Sequence, residues 1–376
     1  MAGVLVANLH LYSGRYAAHE LPTGLDAAAH WFLELFVAGR AQSLLTLLFG
    51  FGFAIQLLRA SDRGERVLPV YVRRLVVLFA FGWAHILLLW FGDVTWGYAV
   101  AGFALLPFRN VSNRTRLIWA ATFILVPPVI DQLPGVPGYF ASLVFGEHSF
   151  QRLSTADIAA MHGHDRFALA IANAKLGVMW TIMYFSYPLW LVGHFLIGYV
   201  VGMLRWFERD GADHLAVFRK LLIWGLPLMA CGIAWSIVRT STLADYEIPM
   251  PVSMILAALE QVTLLAQVGV YVAAVVLLMQ RAGWRRLLLI VAPVGRMPLT
   301  TYFSQSVICT FLLFAWGLHW STPTPWQELE LASVIFAGQI AIAHLWLRYF
   351  NFGPLEWVWR TLVYLRPPIM RKTATR

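Results

Sequence analysis

Apolar runs of roughly 17–25 residues, separated by short polar segments, recur along the chain with the spacing expected of bilayer-crossing helices. They lie near 41–58, 75–91, 95–108, 117–131, 178–204, 219–238, 252–279, 290–317 and 330–347. The run at 95–108 is short, and that at 290–317 is long and interrupted by Pro293 and Pro298. Residues 1–9 are apolar but too short to span, and no basic segment precedes them. They read as the second half of a spanning helix whose first half is missing, as an upstream start codon would explain. The predicted fold class is all-α. It is a polytopic bundle of about nine to ten spanning helices with a truncated first helix, in one transmembrane domain over 1–376.

The polar segments separate by charge. Arginines gather at 59–74, 109–116, 205–220 and 281–286 and in the tail 348–376, whereas 92–94, 239–251 and 318–329 are acidic or nearly uncharged. Basic loops face the cytoplasm, which places the tail there and puts 10–40 and 132–177 on the outer face. The stretch 132–177 has Pro134, Pro137 and a mixed middle. It predicts partly helical segments lying on the membrane rather than a folded domain. Asn110-Val-Ser and Asn113-Arg-Thr match a glycosylation pattern, but they fall in a cytoplasmic loop and read as chance. No internal repeat is visible, which weakens an inverted-repeat transporter reading.

Composition agrees. The chain of 376 residues is 60% hydrophobic and only 12% charged, where soluble domains carry about 25% charged residues. Its 17 tryptophans suit the headgroup level, and its membrane partners are lipids. A net charge of +9 would suggest nucleic acid in a soluble protein. Here the topology rule accounts for it, and no nucleic-acid partner is expected. Cys231 and Cys309 both sit in apolar runs and read as packing residues. His162 and His164 are too isolated for a metal site, and none is expected. Walker, HExxH and GxSxG patterns are lacking, so ATP-driven pumping and ordinary serine-hydrolase chemistry lose support.

Ionisable groups at membrane depth are costly and therefore candidates for function. His85 leads. Arg74 precedes it by eleven residues, roughly 16 Å and about three turns along one helix face. Arg74 with Arg73 marks the cytoplasmic mouth, and Asp93 follows His85 towards the outer side. Such an array suits group transfer: cations to hold an anionic donor, a buried imidazole as base or acyl acceptor, and a carboxylate to orient it. The alternative is a positive-inside border and a histidine bonded to a neighbouring helix. Arg296 lies in a helix-breaking stretch, where it either binds an anion or marks the interface. Tyr302, Ser304 and Gln305 line the same cavity or bond other helices, and Arg40 at the end of 41–58 snorkels to headgroups. Glu260 and Gln261 form a non-specific polar patch. His194, beside Gly198 and Gly202, reads as packing.

Four blocks carry a resemblance: Leu-Leu-Thr-Leu-Leu-Phe-Gly-Phe-Gly-Phe at 44–53, Phe81 to Asp93, Val294 to Tyr302 with Gln305 and Ser306, and Phe352 to Arg360. In this order they resemble the YeiB-like family of bacterial membrane proteins, which implies the bacterial cytoplasmic (inner) membrane. That family usually opens with a helix carrying an Arg-Gly pair before an apolar part ending in Asn. Here only Val4 to Asn8 remains, in line with a truncated start. The family is grouped by distant similarity with transmembrane acyltransferases, among them the lysosomal acetyltransferase acting on glucosaminide ends and bacterial sugar O-acyltransferases. The latter carry an arginine, ten residues and a histidine, a spacing that Arg74 and His85 reproduce. The grouping implies Arg73 and Arg74 holding acyl-CoA, His85 catalytic, Asp93 assisting and Arg296 in the pocket.

The resulting expectation is an acyltransferase moving an acyl group from cytoplasmic acyl-CoA to a carbohydrate or small-molecule acceptor at the outer face. The alternatives are a transporter or permease for a small anionic or lipid-linked metabolite, and a non-enzymatic membrane component that packs or recruits partners.

Overall fold

The computed structural model describes residues 1–12, 22–64, 67–133, 165–183, 186–243, 246–314, 316–320 and 323–372. Residues 134–164, with most of the expected membrane-surface stretch and His162 and His164, lie outside the described residues. Among the described residues the chain is helical, with one isolated bridge between Phe350 and Arg371 and no strand. The helices are α1 (Ala2–Tyr12), α2 (Gly24–Phe32), α3 (Arg40–Asp62), α4 (Val67–Leu88), α5 (Thr95–Phe103), α6 (Asn113–Ile130), α7 (Arg166–Met183) and α8 (Ser186–Met203). They continue with α9 (Leu215–Ser241), α10 (Met250–Met279), α11 (Ala282–Ile290), α12 (Ala292–Gly295), α13 (Pro298–Leu313), α14 (Pro325–Tyr349) and α15 (Pro354–Tyr364).

Five helices among the described residues are long and apolar enough to cross a membrane: α2–α3 together, α4, α9, α10 and α14. The protein is a helical membrane protein. The other apolar runs differ from the pattern for local reasons. The run 178–204 is two helices, because Pro188 cannot donate to a carbonyl four residues back and so sits in the first turn of α8. The run 290–317 breaks at Met297 (φ −125°, ψ 51°), where Pro298 restarts the chain as α13. The segment 24–37 is helical rather than a plain loop. It ends in a π-helical turn, Leu33–Val37, and Gly39 turns the backbone at φ 72° into α3.

Close backbone approach builds the centre. A Cβ on Gly50 would fall onto the carbonyl of Phe195, and one on Gly198 onto that of Leu47. Thus α3 and α8 cross through their glycines, as small residues allow in lipid. Around this crossing Phe53, Tyr71, Leu75, Tyr98, Phe195 and Tyr199 form the main core. A second cluster joins α1 to α7 and α13 through Leu5, Leu9, Leu169, Leu176 and Leu313. The α9–α10 hairpin is peripheral, and most of α9 is exposed to the surroundings. The corner before α6 is folded. Ser112 caps Thr115 N, and Arg116 donates to the carbonyls of Phe108 and Arg109 while lying over the ring of Tyr199. The two Asn-X-Ser/Thr sequences therefore belong to a helix entry.

Candidate functional site

Helix α4 ends just past His85, and the chain turns through Trp90 and Gly92 into α5. Asp93 starts that helix. Its Oδ1 accepts from Thr95 N at 2.7 Å, Thr95 Oγ1 at 2.6 Å and Trp96 N at 3.3 Å, as a side-chain cap does. This leaves Oδ2 facing back to α4, 3.3 Å from His85 Nδ1, with both side chains fully buried. The pair is within ionic reach, but its angle falls short of a hydrogen bond. The other nitrogen, His85 Nε2, lies 2.7 Å from Ser306 Oγ of α13. Asp93, His85 and Ser306 thus form a continuous buried chain from three separate elements.

Aromatic rings hold the imidazole. Tyr302 stacks on it at 5.1 Å and 18°, and Phe303 meets it edge-on at 4.9 Å. The hydroxyl of Tyr302 faces Asp93, and that of Tyr12 faces Ser306. Neither has hydrogen-bonding geometry among the described residues, and Gln305 Oε1 is also unpaired there. Buried polar atoms without partners are costly and are retained where they serve a purpose or meet ordered water.

The remaining residues singled out from the sequence fall elsewhere. Gln305 donates to Gln339 at 2.8 Å, and Gln339 donates to Thr301 O and Ser304 Oγ, so this network joins α13 to α14. Arg74 lies three turns from His85, its guanidinium 4.9 Å from the ring centre of Trp359 on α15. Arg73 turns back to the carbonyl of Pro69. Arg296 is exposed at the α12–α13 break, not in a closed pocket. Arg40 does not reach outward to headgroups. It donates to Gln267 at 2.9 Å and to the carbonyls of Glu34 and Ala38 at 3.0 and 2.8 Å. Those are carbonyls left without helical partners where the π-turn ends, so Arg40 seals the break. His194 is buried, bonded to Trp190 O at 2.9 Å and packed on the Trp190 ring. Glu260 accepts from Trp235 and Arg239, which pins α9 to α10.

Sequence reasoning named Ser306 only within a family-like block and gave no role to it or to Glu356. Ser306 lies one turn after Tyr302, on the face of α13 that α4 meets, and that periodicity was the available signal. Glu356 is buried near the start of α15, and its carboxylate takes Leu299 N at 2.6 Å, Thr300 N at 3.0 Å and Thr300 Oγ1 at 2.5 Å. It therefore caps α13, the helix that carries Tyr302 and Ser306.

A cavity of about 720 Å³ opens beside this array. Asp93 and the turn before it form part of its wall, and most of the rest comes from α1, the π-turn, α3, α5 and α8, with His30, Gly177 and Pro325 at its edges. His85 lies one side chain behind that wall. No Lys or Arg is in the wall among the described residues. No group of three or more His, Cys, Asp or Glu residues there is placed to hold a metal.

Residues 201–366 match the family described as "Protein of unknown function (DUF418)". Over 359 residues the chain is 32% identical to uncharacterized protein YxaH of Bacillus subtilis (strain 168), covering 93% of this chain and 85% of the relative. It is 29% identical over 354 residues to an uncharacterized 39.9 kDa protein from the amylase 3' region of Bacillus acidopullulyticus, covering 93% and 88%. Over 385 residues it is 27% identical to uncharacterized protein YeiB of Escherichia coli (strain K12), covering 96% and 92%. No solved structure matches the chain. Similarity that runs through nearly the full length of these relatives, including the histidine-bearing α4 and the Glu356-bearing α15, makes the chain a member of the YeiB-like DUF418 family.

Proposed function

We propose that this protein is a membrane-embedded acyltransferase of the bacterial inner membrane, with its tail cytoplasmic, its donor acyl-CoA and its acceptor a hydroxyl compound held in the cavity. The observation that supports this reading is the Asp93–His85–Ser306 chain, at 3.3 and 2.7 Å, directly behind a cavity wall that includes Asp93. A buried imidazole between a carboxylate and a hydroxyl is built to accept and return a proton. In the reaction the Asp93–His85 pair takes the proton of the acceptor hydroxyl as its oxygen attacks the acyl carbonyl. The carbon–sulfur bond of the thioester breaks, and the coenzyme thiolate leaves with that proton. The proton is assigned to the pair rather than to one atom. Ser306 and the stacked Tyr302 position the ring. Arg73 and Arg74, at the other end of α4, are the groups for the donor's phosphates.

The test is acyl transfer from radiolabelled acetyl-CoA by the purified protein in lipid nanodiscs, scored on extracted lipid and soluble acceptors. Wild type should transfer label, and His85→Ala should lose at least about 100-fold of the rate. Equal transfer by the two proteins would sink the mechanism. A permease for a small anion is less well supported, because the described cavity wall offers an anion no Lys or Arg.

A further inference from the structure

The cavity has an ordered polarity. Of the helices that line it, four each place a polar or interfacial side chain near the α4–α5 turn and an aliphatic one further into the bundle. On α1 these are Asn8 and Val4; on α3, Gln42 and Leu45; on α5, Trp96 and Val100; on α8, Tyr187 and Leu191. Each pair is separated by about one helical turn, roughly 5 Å. The site therefore has a hydrogen-bonding mouth and an apolar floor, and its size is that of a small-molecule pocket.

Two charged groups at the mouth, Asp93 and Arg40, are already committed. Asp93 Oδ1 is taken by the first amides of α5, and its Oδ2 faces His85. Glu34 is exposed beside His30 and Arg40, and Arg40 is bound to Gln267 and to carbonyls. What remains for a ligand is neutral hydrogen bonding. Gln42 donates to the Tyr187 hydroxyl, which leaves its carbonyl oxygen available. Asn8 is half-buried on the wall and has no hydrogen bond within the described residues.

We infer that the cavity binds an uncharged amphiphile, with a hydroxyl-bearing head between Asn8, Gln42 and Tyr187 and an alkyl chain along Val4, Leu45 and Leu191. An anionic head would meet no Lys or Arg in the described wall, and the His10 ring there is already paired with Glu328. A cationic head would find Asp93 already partnered and Glu34 flanked by His30 and Arg40. Calling this ligand the acceptor rests on the acyl-transfer reading; its binding does not.

The experiment is saturable binding of tritiated octyl β-glucoside to the full chain in lipid nanodiscs, with displacement by octyl phosphate and octyltrimethylammonium. The glucoside should bind at least tenfold more tightly than either charged amphiphile. Ala7→Trp, which fills the cavity, should abolish binding, and Asn8→Leu should weaken it at least fivefold. Tighter binding of either charged amphiphile, or no saturable glucoside binding, overturns the inference. The charge series uses only wild-type protein, so a misfolded variant leaves the test intact. Binding without any acyl transfer removes the catalytic reading alone; transfer without glucoside binding removes this one alone.

Discussion

Glu356 offers a quantitative test of how the site is held. Its buried carboxylate takes two main-chain amides and one hydroxyl at the first turn of α13. Those amides have no intrahelical acceptor. Each hydrogen bond to a charged acceptor contributes about 1.5–3 kcal/mol, and the three share one carboxylate, so they do not add in full. Glu356→Ala also strips charge from a helix N-terminus, a further effect of about 0.3–1 kcal/mol. The expected net loss is about 3–4 kcal/mol, less than the sum because water reaches part of the vacated site. Glu356→Gln keeps one acceptor oxygen and should lose about half of that. Cys309 lies on α13 and is fully buried, whereas Cys231 is exposed. A Cys231→Ser background therefore makes thiol labelling during a thermal ramp a reporter of this helix. Glu356→Ala should label at a midpoint about 5 °C or more below the background protein, with Glu356→Gln between them. A Glu356→Ala midpoint within about 1 °C of the background would refute the capping role.

Other outcomes follow from the same geometry. Asp93→Asn keeps an oxygen for the α5 cap but replaces the oxygen facing His85, so folding should survive while acyl transfer falls by at least about 100-fold in the nanodisc assay. Gly198→Ala sets a methyl group against the backbone of Leu47 and should cost about 3 kcal/mol, seen as a lowered unfolding midpoint. Arg40→Ala leaves the carbonyls of Glu34 and Ala38 unpaired at the helix break and should cost about 2–3 kcal/mol by the same measurement. Arg296→Ala, at an exposed position, should leave both midpoint and transfer rate unchanged; a large loss of transfer would place Arg296 in the reaction.

The long helices α3, α4, α9, α10 and α14 were legible because each run is long and predominantly apolar. The π-turn at Leu33–Val37 was not. Its residues are ordinary, and the break depends on Gly39 and on Arg40 reaching Gln267 of α10, a contact across 227 positions. The pairing of His85 with Asp93 was readable, since both lie on one short stretch. Ser306 was not, because the contact joins residues 221 positions apart and depends on how α4 and α13 dock. Arg74 kept its spacing to His85 but gained Trp359 as a neighbour, which helical periodicity alone does not report. The sequence left Arg296 as anion-binding or interfacial; the flanking Pro293 and Pro298 mark a helix end, and the side chain is exposed there.

The helices that hold the reactive array are largely not those that shape the cavity. His85 and Ser306 sit on α4 and α13, and α15 ties the two together through Trp359 over Arg74 and through Glu356 under Thr300. The cavity is walled chiefly by α1, α3, α5 and α8, with Asp93 at the junction of the two groups. Chemistry and ligand choice can therefore diverge separately over evolution. Exchanging α1, α3, α5 and α8 between relatives should transplant ligand preference and leave the reactive centre intact.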